Sequence, residues 1–244
     1  MLEIENLHFG YRDGRQVMSG MSLRYDEPGV YGLLGMNGAG KSTLLYLMMG
    51  MLRPALGSVR MNGVDTWRRD PEVMREMYIV PEEYDLPATE LDSYVDTIRA
   101  FYPNFDMELL KQLMGMFELN GLNGAPAGKN GISAINMRRL SMGQKKKICL
   151  CVALAARTRL LLMDEPTNGL DIPSKSQFRK LVAHGMRDDQ IIVISTHQVR
   201  DVETLVDHVT IVKDGMVKMN EKLSMEEPTN LEELFLKAMS KEDL

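Results

Sequence analysis

A glycine-rich loop that ends in lysine and serine limits the possible folds of this chain more than any other segment. Residues 35–43 read GMNGAGKST and fit the pattern G-x-x-x-x-G-K-[ST]. A short apolar run suited to a buried strand, residues 29–34, precedes the loop, and a run suited to a helix, residues 44–49, follows it. In this context backbone N–H groups can cradle phosphate, and the helix N-terminus adds partial positive charge. We therefore predict a nucleotide site, with Lys41 on the β- and γ-phosphates and Ser42 on Mg²⁺.

The bulk composition permits one large α/β domain or a domain with an inserted subdomain. The chain has 244 residues and a net charge of −5. This charge argues against nucleic acid as the main partner, because such binding requires a basic face. No apolar run approaches the ~20 residues of a membrane span, and residues 1–5 resemble a strand more than a signal peptide. We expect Cys149 and Cys151 to be packed thiols rather than a disulfide or metal pair, since helical residues two apart point in different directions.

Apolar periodicity predicts an α/β core with an antiparallel β subdomain. Residues 2–9 and 21–25 alternate, as half-exposed strands do. Residues 57–61 run into Asn62 and Gly63, which is a hairpin signal. Further strands are predicted at residues 77–80, 160–164, 191–195 and 209–212. The second and third of these are continuous apolar runs, typical of parallel strands buried on both faces. Helices over about 173–186 and 198–206 separate the last three strands.

A helical subdomain, residues 88–157, is predicted to be inserted into this core. Thr89 begins a capping-box pattern for a helix to about Phe101. Asp106 can cap a second helix through Phe117, and Ser141 a third to about Arg157. A glycine-rich loop, residues 121–131, joins the second and third. Near the end of the chain, residues 231–239 predict a short amphipathic helix.

Two carboxylates end the apolar run LLLMDE. Beside a phosphate-binding loop, Asp164 is placed to hold Mg²⁺ through water and Glu165 to polarise the attacking water. The alternative is a strand that ends in a solvated acidic turn. His197 follows another buried strand and could bond the γ-phosphate and the attacking water, although a histidine there can also be purely structural.

The segment LSMGQ, residues 140–144, directly precedes a predicted helix. Ser141 could be only its N-cap. Lys145, Lys146 and Lys147 follow in the first turn, where cations oppose the helix dipole. A nearby polyanion such as a triphosphate would remove this conflict, and a solvated basic face is the alternative.

The order of these motifs resembles the ATP-binding subunit of an ABC transporter over about residues 2–223. The resemblance implies a P-loop NTPase core with the antiparallel and helical subdomains, forming an ABC ATPase domain over 1–223 with a helical tail over 224–244. It implies Mg²⁺ and ATP held between two such subunits, in a homodimer or heterodimer. It also implies a separate membrane permease and a location on the cytoplasmic face of the cell membrane. The tail resembles that of ATPases paired with exporter-type permeases, and an ordinary terminal helix is the alternative.

The resemblance implies a role for each motif residue. Tyr11 would stack on adenine, Asp164 would serve the magnesium site, Glu165 would be the catalytic base and His197 the switch histidine. Asp171 matches the loop that crosses the dimer interface. The remaining residues that would contact ATP are Gly35, Asn37, Gly38, Ala39, Gly40, Lys41, Ser42 and Thr43 from the P-loop, and Ser141, Gly143 and Gln144, which would reach the partner's nucleotide.

Two positions depart from the family pattern. Glu82 stands where glutamine is usual; a carboxylate can still ligate Mg²⁺ but adds negative charge, and a solvated acidic loop is the alternative. Met142 stands where glycine is usual, while Gly143 is kept, so we expect the contact to ATP to persist.

Two other classes of function compete with this reading. One is a soluble ABC ATPase that acts on DNA or ribosomes, but such proteins usually carry two cassettes or long coiled-coil arms, and this chain shows neither. The other is a nucleotide-dependent regulator without turnover, against which Glu165 and His197 argue. The sequence therefore favours an ATPase that powers transport, with export as the expected direction.

Overall fold

The computed structural model describes residues 1–83, 86–119, 124, 126–224 and 230–240. Its strands are β1 (Leu2–Gly10), β2 (Gln16–Tyr25), β3 (Gly29–Leu34), β4 (Leu56–Met61), β5 (Val64–Asp65), β6 (Met77–Val80), β7 (Leu160–Asp164), β8 (Ile191–Thr196), β9 (His208–Lys213) and β10 (Met216–Lys222). Its α-helices are α1 (Lys41–Met48), α2 (Pro71–Met74), α3 (Leu91–Arg99), α4 (Met107–Met116), α5 (Met142–Ala155), α6 (Ile172–Gly185), α7 (Val199–Val202) and α8 (Leu231–Ser240).

The strands form two sheets. The larger has the order β10-β9-β3-β8-β7-β6, and its strands are parallel except β10. The smaller is antiparallel, with the order β2-β1-β4-β5. The carboxyl ends of the adjacent strands β3, β8 and β7 meet at one edge of the larger sheet, where ligands bind in open α/β sheets. The segments that follow these strands contain Lys41, Glu165 and His197.

Two hydrophobic cores cover the faces of the larger sheet. Along β7, Leu160 and Leu162 belong to the core shared with α1 and the smaller sheet, while Leu161 and Met163 belong to the core shared with the other helices. The continuous apolar run of β7 is explained by this double burial. These cores fix the strand end from which Asp164 and Glu165 project.

Helices α3, α4 and α5 all contribute buried side chains to the second core. Asp106 caps α4 by accepting from the backbone N–H of Leu109, as predicted. The predicted cap at Thr89 is wrong, because α3 begins after Glu90 and has no side-chain cap. There the chain is held extended by main-chain bonds between residues 89–91 and 135–137.

Other sequence predictions vary in their outcome. Helix α8 is found, whereas α7 ends at Val202 rather than near 206. Cys149 and Cys151 are buried on α5 and form no disulfide. Part of the predicted glycine-rich loop, residues 120–123 and 125, and part of the tail, residues 225–229 and 241–244, lie outside the described residues. No described helix combines the length and apolar character needed to cross a bilayer.

Candidate nucleotide-binding site

The P-loop joins β3 to α1 in the predicted strand–loop–helix arrangement. A Cβ at Gly35 would lie 2.6 Å from the carbonyl oxygen of Val212 on β9, so only glycine fits there. Gly40 is the N-cap residue of α1, has a φ of 97° and supplies no side-chain cap. The first N–H groups of α1 are therefore left for a ligand, which is the arrangement that binds phosphate.

Lys41 is buried and folded back onto the loop. Its Nζ donates to the carbonyl oxygens of Gly35 (2.9 Å) and Met36 (3.3 Å) and lies 3.6 Å from Oε1 of Glu165. Neutral carbonyls and one carboxylate hold the ammonium where a triphosphate would compete for it.

Asp164 ends β7 as a buried carboxylate. Its Oδ1 accepts from the hydroxyl of Ser195 on the neighbouring strand β8, and its Oδ2 is buried without a hydrogen-bond partner in the described part of the chain. Burial raises the pKa of Asp164, and the Ser195 hydroxyl acts in the opposite direction. A buried carboxylate oxygen without a donor suits a cation.

Glu165 has an unusual backbone for a residue with a side chain. Its φ is 44°, in the left-handed region that costs energy for residues other than glycine. Its N–H donates to the carbonyl oxygen of Ser195 at 3.1 Å. Its side chain is only 7% exposed, and Oε2 has no hydrogen-bond partner among the described residues.

His197 fixes the other oxygen of this carboxylate. The backbone N–H of His197 donates to Oε1 of Glu165 at 3.1 Å, and its Nδ1 lies 2.8 Å from the same oxygen. Two contacts from one residue orient the carboxylate, so Glu165 and His197 form one unit.

These groups line a polar cleft of about 770 Å³. Of the predicted residues, the cleft is lined by Tyr11, Asn37, Gly38, Gly40, Lys41, Ser42, Thr43, Glu82, Glu165 and His197. Gly35, Ala39 and Asp164 lie beside it in the P-loop and at the end of β7 but are not lining residues. Sequence reasoning missed the lining residues Arg15, Gln16, Val17, Asn168, Asp214 and Gly215.

Tyr11 lines the cleft from the segment that follows β1. Its hydroxyl is 3.0 Å from the hydroxyl of Thr43, and the guanidinium of Arg15 lies 5.0 Å from its ring centroid. An arginine over the ring was not expected, although Arg15 follows the Asp13-Gly14 turn that brings the chain back towards Tyr11.

Glu82 faces the cleft from the segment after β6. Its Oε1 accepts from the side-chain amide of Asn168 at 2.8 Å. Asn168 was not predicted as a site residue, although it follows Glu165 by only three positions in the sequence.

Four predicted nucleotide contacts lie outside this cleft. Ser141 and Gln144 form a reciprocal capping box at the start of α5, and Asp171 caps α6 by accepting from the N–H of Ser174 at 2.9 Å. A Cβ at Gly143 would meet no atom of this chain within 4 Å. One chain alone therefore does not bring residues 141–144 to its own P-loop.

Lys146 differs from what the sequence suggested for the three lysines. It is 7% exposed, and its Nζ donates to the main-chain carbonyl oxygens of Glu165 and Asn168, both at 2.8 Å. It faces the turn after β7 in its own chain and is available neither to a distant polyanion nor to solvent. Periodicity showed the helix but not that this position lies on its buried side.

The residues fit a magnesium–nucleotide complex. In the described ranges, no cluster of three or more His, Cys, Asp or Glu side chains could hold a metal by itself. Mg²⁺ usually takes one or two carboxylates together with substrate phosphates. Asp164, with its partnerless oxygen, and Ser42 in the cleft meet that requirement.

Comparisons with known proteins identify the family of this chain. A family model described as "ABC transporter" matches residues 18–168. ABC transporter ATP-binding protein YtrB of Bacillus subtilis is 30% identical over 219 residues, covering 88% of this chain and 70% of that protein. Lantibiotic transport ATP-binding protein SrtF of Streptococcus pyogenes is 29% identical over 238 residues and covers 96% of each.

The fold comparison gives the same result. A solved structure of the ATP-binding subunit of an ABC transporter superimposes with a TM-score of 0.83 at 23% identity, covering 98% of this chain and all of the other. The predicted fold class is confirmed by this similarity and by the two sheets. The chain therefore belongs to the ABC transporter family of ATP-binding subunits, which hydrolyse ATP to drive transport.

Proposed function

We propose that this chain dimerises around two ATP molecules, hydrolyses them and so powers a separate membrane permease. The observation that carries the proposal is the convergence of Lys41, Glu165 and His197 in one polar cleft at the P-loop. This set contains a cation for phosphate, a carboxylate for water and a group that orients the carboxylate.

The contacts support a role for each residue. A triphosphate would draw Lys41 away from the carbonyls of Gly35 and Met36, and the N–H groups of α1 would bind phosphate oxygens. Glu165 would accept a proton from the attacking water, while His197 holds its Oε1. Ser42 and Asp164 would hold Mg²⁺ with Glu82 nearby, and the ion supplies positive charge to the phosphates.

The residues outside the cleft support a dimer. Three large apolar side chains are exposed beside nucleotide motifs: Met36 in the P-loop (60%), Met142 before Gly143 (67%) and Ile172 after Asp171 (85%). These apolar side chains are exposed next to motifs that have no binding partner within their own chain. A second ATPase subunit that packs against them would bury them. In that arrangement residues 141–144 of one subunit complete the site of the other.

A complementation experiment tests this arrangement. Lys41→Ala disables the P-loop. Ser141→Arg disables residues 140–144, which we call the signature segment. Each variant alone should therefore be inactive. If sites form across the dimer, mixing the two variants creates one site with both parts intact, and hydrolysis should return. If each chain completes its own site, no activity should return.

A second mixture tests for the dimer itself when both sites must be whole for turnover. An excess of the double variant Lys41→Ala/Ser141→Arg should inhibit wild type, because every mixed dimer then lacks an intact site. Unchanged wild-type activity, together with no recovery in the first mixture, contradicts the proposed dimer.

An apolar groove supports contact with the permease at the cytoplasmic face of the membrane. It lies between α2, β6 and the end of α3, with a volume of about 530 Å³. Phe101 at its rim is 65% exposed. A helical segment of the permease with an apolar face suits this groove, and Phe101→Glu should remove stimulation by the permease in proteoliposomes without changing basal ATPase activity.

Export is the proposed direction. Support comes from the amphipathic tail helix α8 and from the match over 96% of both lengths to SrtF, a lantibiotic transport ATP-binding protein. ATP-driven substrate accumulation in inside-out vesicles that contain the permease would agree with export. Accumulation only in right-side-out vesicles would show import.

A further inference from the structure

Lys146 is a buried cation that the roles assigned above leave unexplained. It lies on the second turn of α5, two residues after the signature segment, and its aliphatic stem and ammonium are enclosed by the protein. Burial lowers the pKa of Lys146, while Glu82, Glu165 and Asp164 act in the opposite direction. Enclosing an ammonium is costly unless its hydrogen bonds are satisfied, so its partners indicate its role.

Both partners are backbone carbonyl oxygens of one turn. The Nζ contacts Glu165 O and Asn168 O, and the N–H of Asn168 donates to the same carbonyl of Glu165 at 3.1 Å. The ammonium thus closes the turn that follows β7, at the residue with the left-handed φ of 44°. A strained conformation persists only where surrounding contacts enforce it. At Glu165 these contacts are Ser195 on the N–H, Lys146 on the carbonyl and His197 on the carboxylate.

The same ammonium connects three parts of the site. It belongs to α5, which Ser141 caps, and it holds Asn168, whose side-chain amide donates to Glu82. A small displacement of α5 would therefore be transmitted through Nζ to the backbone that aims Glu165 and to the partner of Glu82.

We propose that Lys146 is a positioning residue that couples helix α5 to the carboxylate of Glu165. Contacts made at the start of α5 reach the catalytic turn through this ammonium, which sets how well Glu165 is aimed at the attacking water. Lys146 itself is not a lining residue of the cleft. The inference rests on the proposed role of Glu165 as general base.

The test uses Lys146→Met, which keeps the length of the stem and removes the donor. We expect kcat to fall roughly 10- to 100-fold, as for a reacting group displaced by about 1 Å, while KM for ATP stays within about threefold because Lys41 and the P-loop are untouched. Lys147→Met is the matched control, since Lys147 is one residue away and lies over the Phe117 ring instead. It should leave kcat near wild type.

Two donor-bearing variants keep the proposal falsifiable if Lys146→Met does not fold. Lys146→Arg and Lys146→Gln retain N–H groups. If Lys146→Met folds, at least one of them should have a higher kcat than Lys146→Met. If Lys146→Met does not fold, at least one should keep kcat within about tenfold of wild type. Melting temperature without nucleotide is measured for each variant. Wild-type kcat in Lys146→Met overturns the proposal. A loss of kcat that neither donor-bearing variant relieves also overturns it. A loss of kcat that follows the fall in melting temperature and comes with an equal rise in KM overturns it as well.

Glu165→Gln separates the failure of the two ideas. If that variant hydrolyses ATP like wild type, the role of Glu165 is wrong whatever Lys146 does. If it is inactive and Lys146→Met is fully active, only the positioning role fails.

Discussion

Replacing Glu165 with glutamine isolates the chemical role of this residue from its packing. Glutamine has the same number of side-chain heavy atoms, so the enclosed side chain keeps its neighbours. Its amide oxygen can still accept from the backbone N–H of His197, which lies 3.1 Å from Oε1. The change removes the negative charge 3.6 Å from Lys41 and the ability to accept a proton.

The expected effects on turnover and binding are opposite in sign. A positioned general base contributes about 10²–10⁴-fold to rate, so kcat should fall by that factor, equivalent to about 2.7–5.4 kcal/mol of activation free energy. ATP affinity should be unchanged or higher, because Lys41 loses a competing carboxylate and the triphosphate loses a nearby like charge. The ATP-bound dimer should therefore accumulate.

Three measurements test this reasoning: phosphate release for kcat and KM, binding of a fluorescent ATP analogue, and size-exclusion chromatography with ATP and Mg²⁺. Glu83→Gln is the control, since it makes the same change on an exposed side chain that is not a lining residue of the cleft. Wild-type hydrolysis in Glu165→Gln would falsify the assignment. Equal losses in kcat and in ATP affinity would show instead that Glu165 shapes the binding site.

Three further predictions concern other residues of the site. Tyr11→Ala should weaken the binding of ATP and of GTP alike, by about 1–3 kcal/mol, because base stacking is lost. Tyr11→Phe loses only the contact to Thr43 and should bind both nucleotides like wild type. An equilibrium binding measurement in which Tyr11→Ala loses affinity for one nucleotide alone contradicts this prediction. Glu82→Gln should alter the Mg²⁺ and Mn²⁺ dependence of hydrolysis and the stimulation by the permease, whereas Glu83→Gln should not; coincident metal titrations of Glu82→Gln and wild type would make Glu82 a bystander. Asp164→Asn should abolish Mg²⁺-dependent hydrolysis yet stabilise the nucleotide-free protein by about 1–2 kcal/mol at neutral pH, because it removes a buried charge. Burial raises the pKa of Asp164 in the folded protein. The gain in unfolding free energy should therefore shrink as pH falls through that raised pKa, and vanish below the pKa of Asp164 in the unfolded chain. A gain that does not vary with pH refutes the explanation.

Local patterns in the sequence were sufficient for the phosphate loop, the capped helices and the paired carboxylates. The P-loop needs glycines at fixed spacing, and the caps at Asp106 and Ser141 need only side chains that reach N–H groups three residues ahead. The end of β7 was readable because a strand buried on both faces is apolar throughout and Asp164 interrupts it. In each case the interacting groups are neighbours in the chain.

Tertiary contacts decided the features that the sequence did not reveal. The β-bridge between Glu90 and Asn136 moved the start of α3 past Thr89. One wall of the cleft forms where Gly215 meets Val17, in a contact so close that a Cβ at Gly215 would lie 2.0 Å from the Val17 carbonyl oxygen. The ammonium of Lys146 meets the left-handed backbone of Glu165 across 19 residues. A run of three lysines has the same composition whether it faces water or a buried turn, and only the packing of α5 against the end of β7 selects which ammonium faces inward.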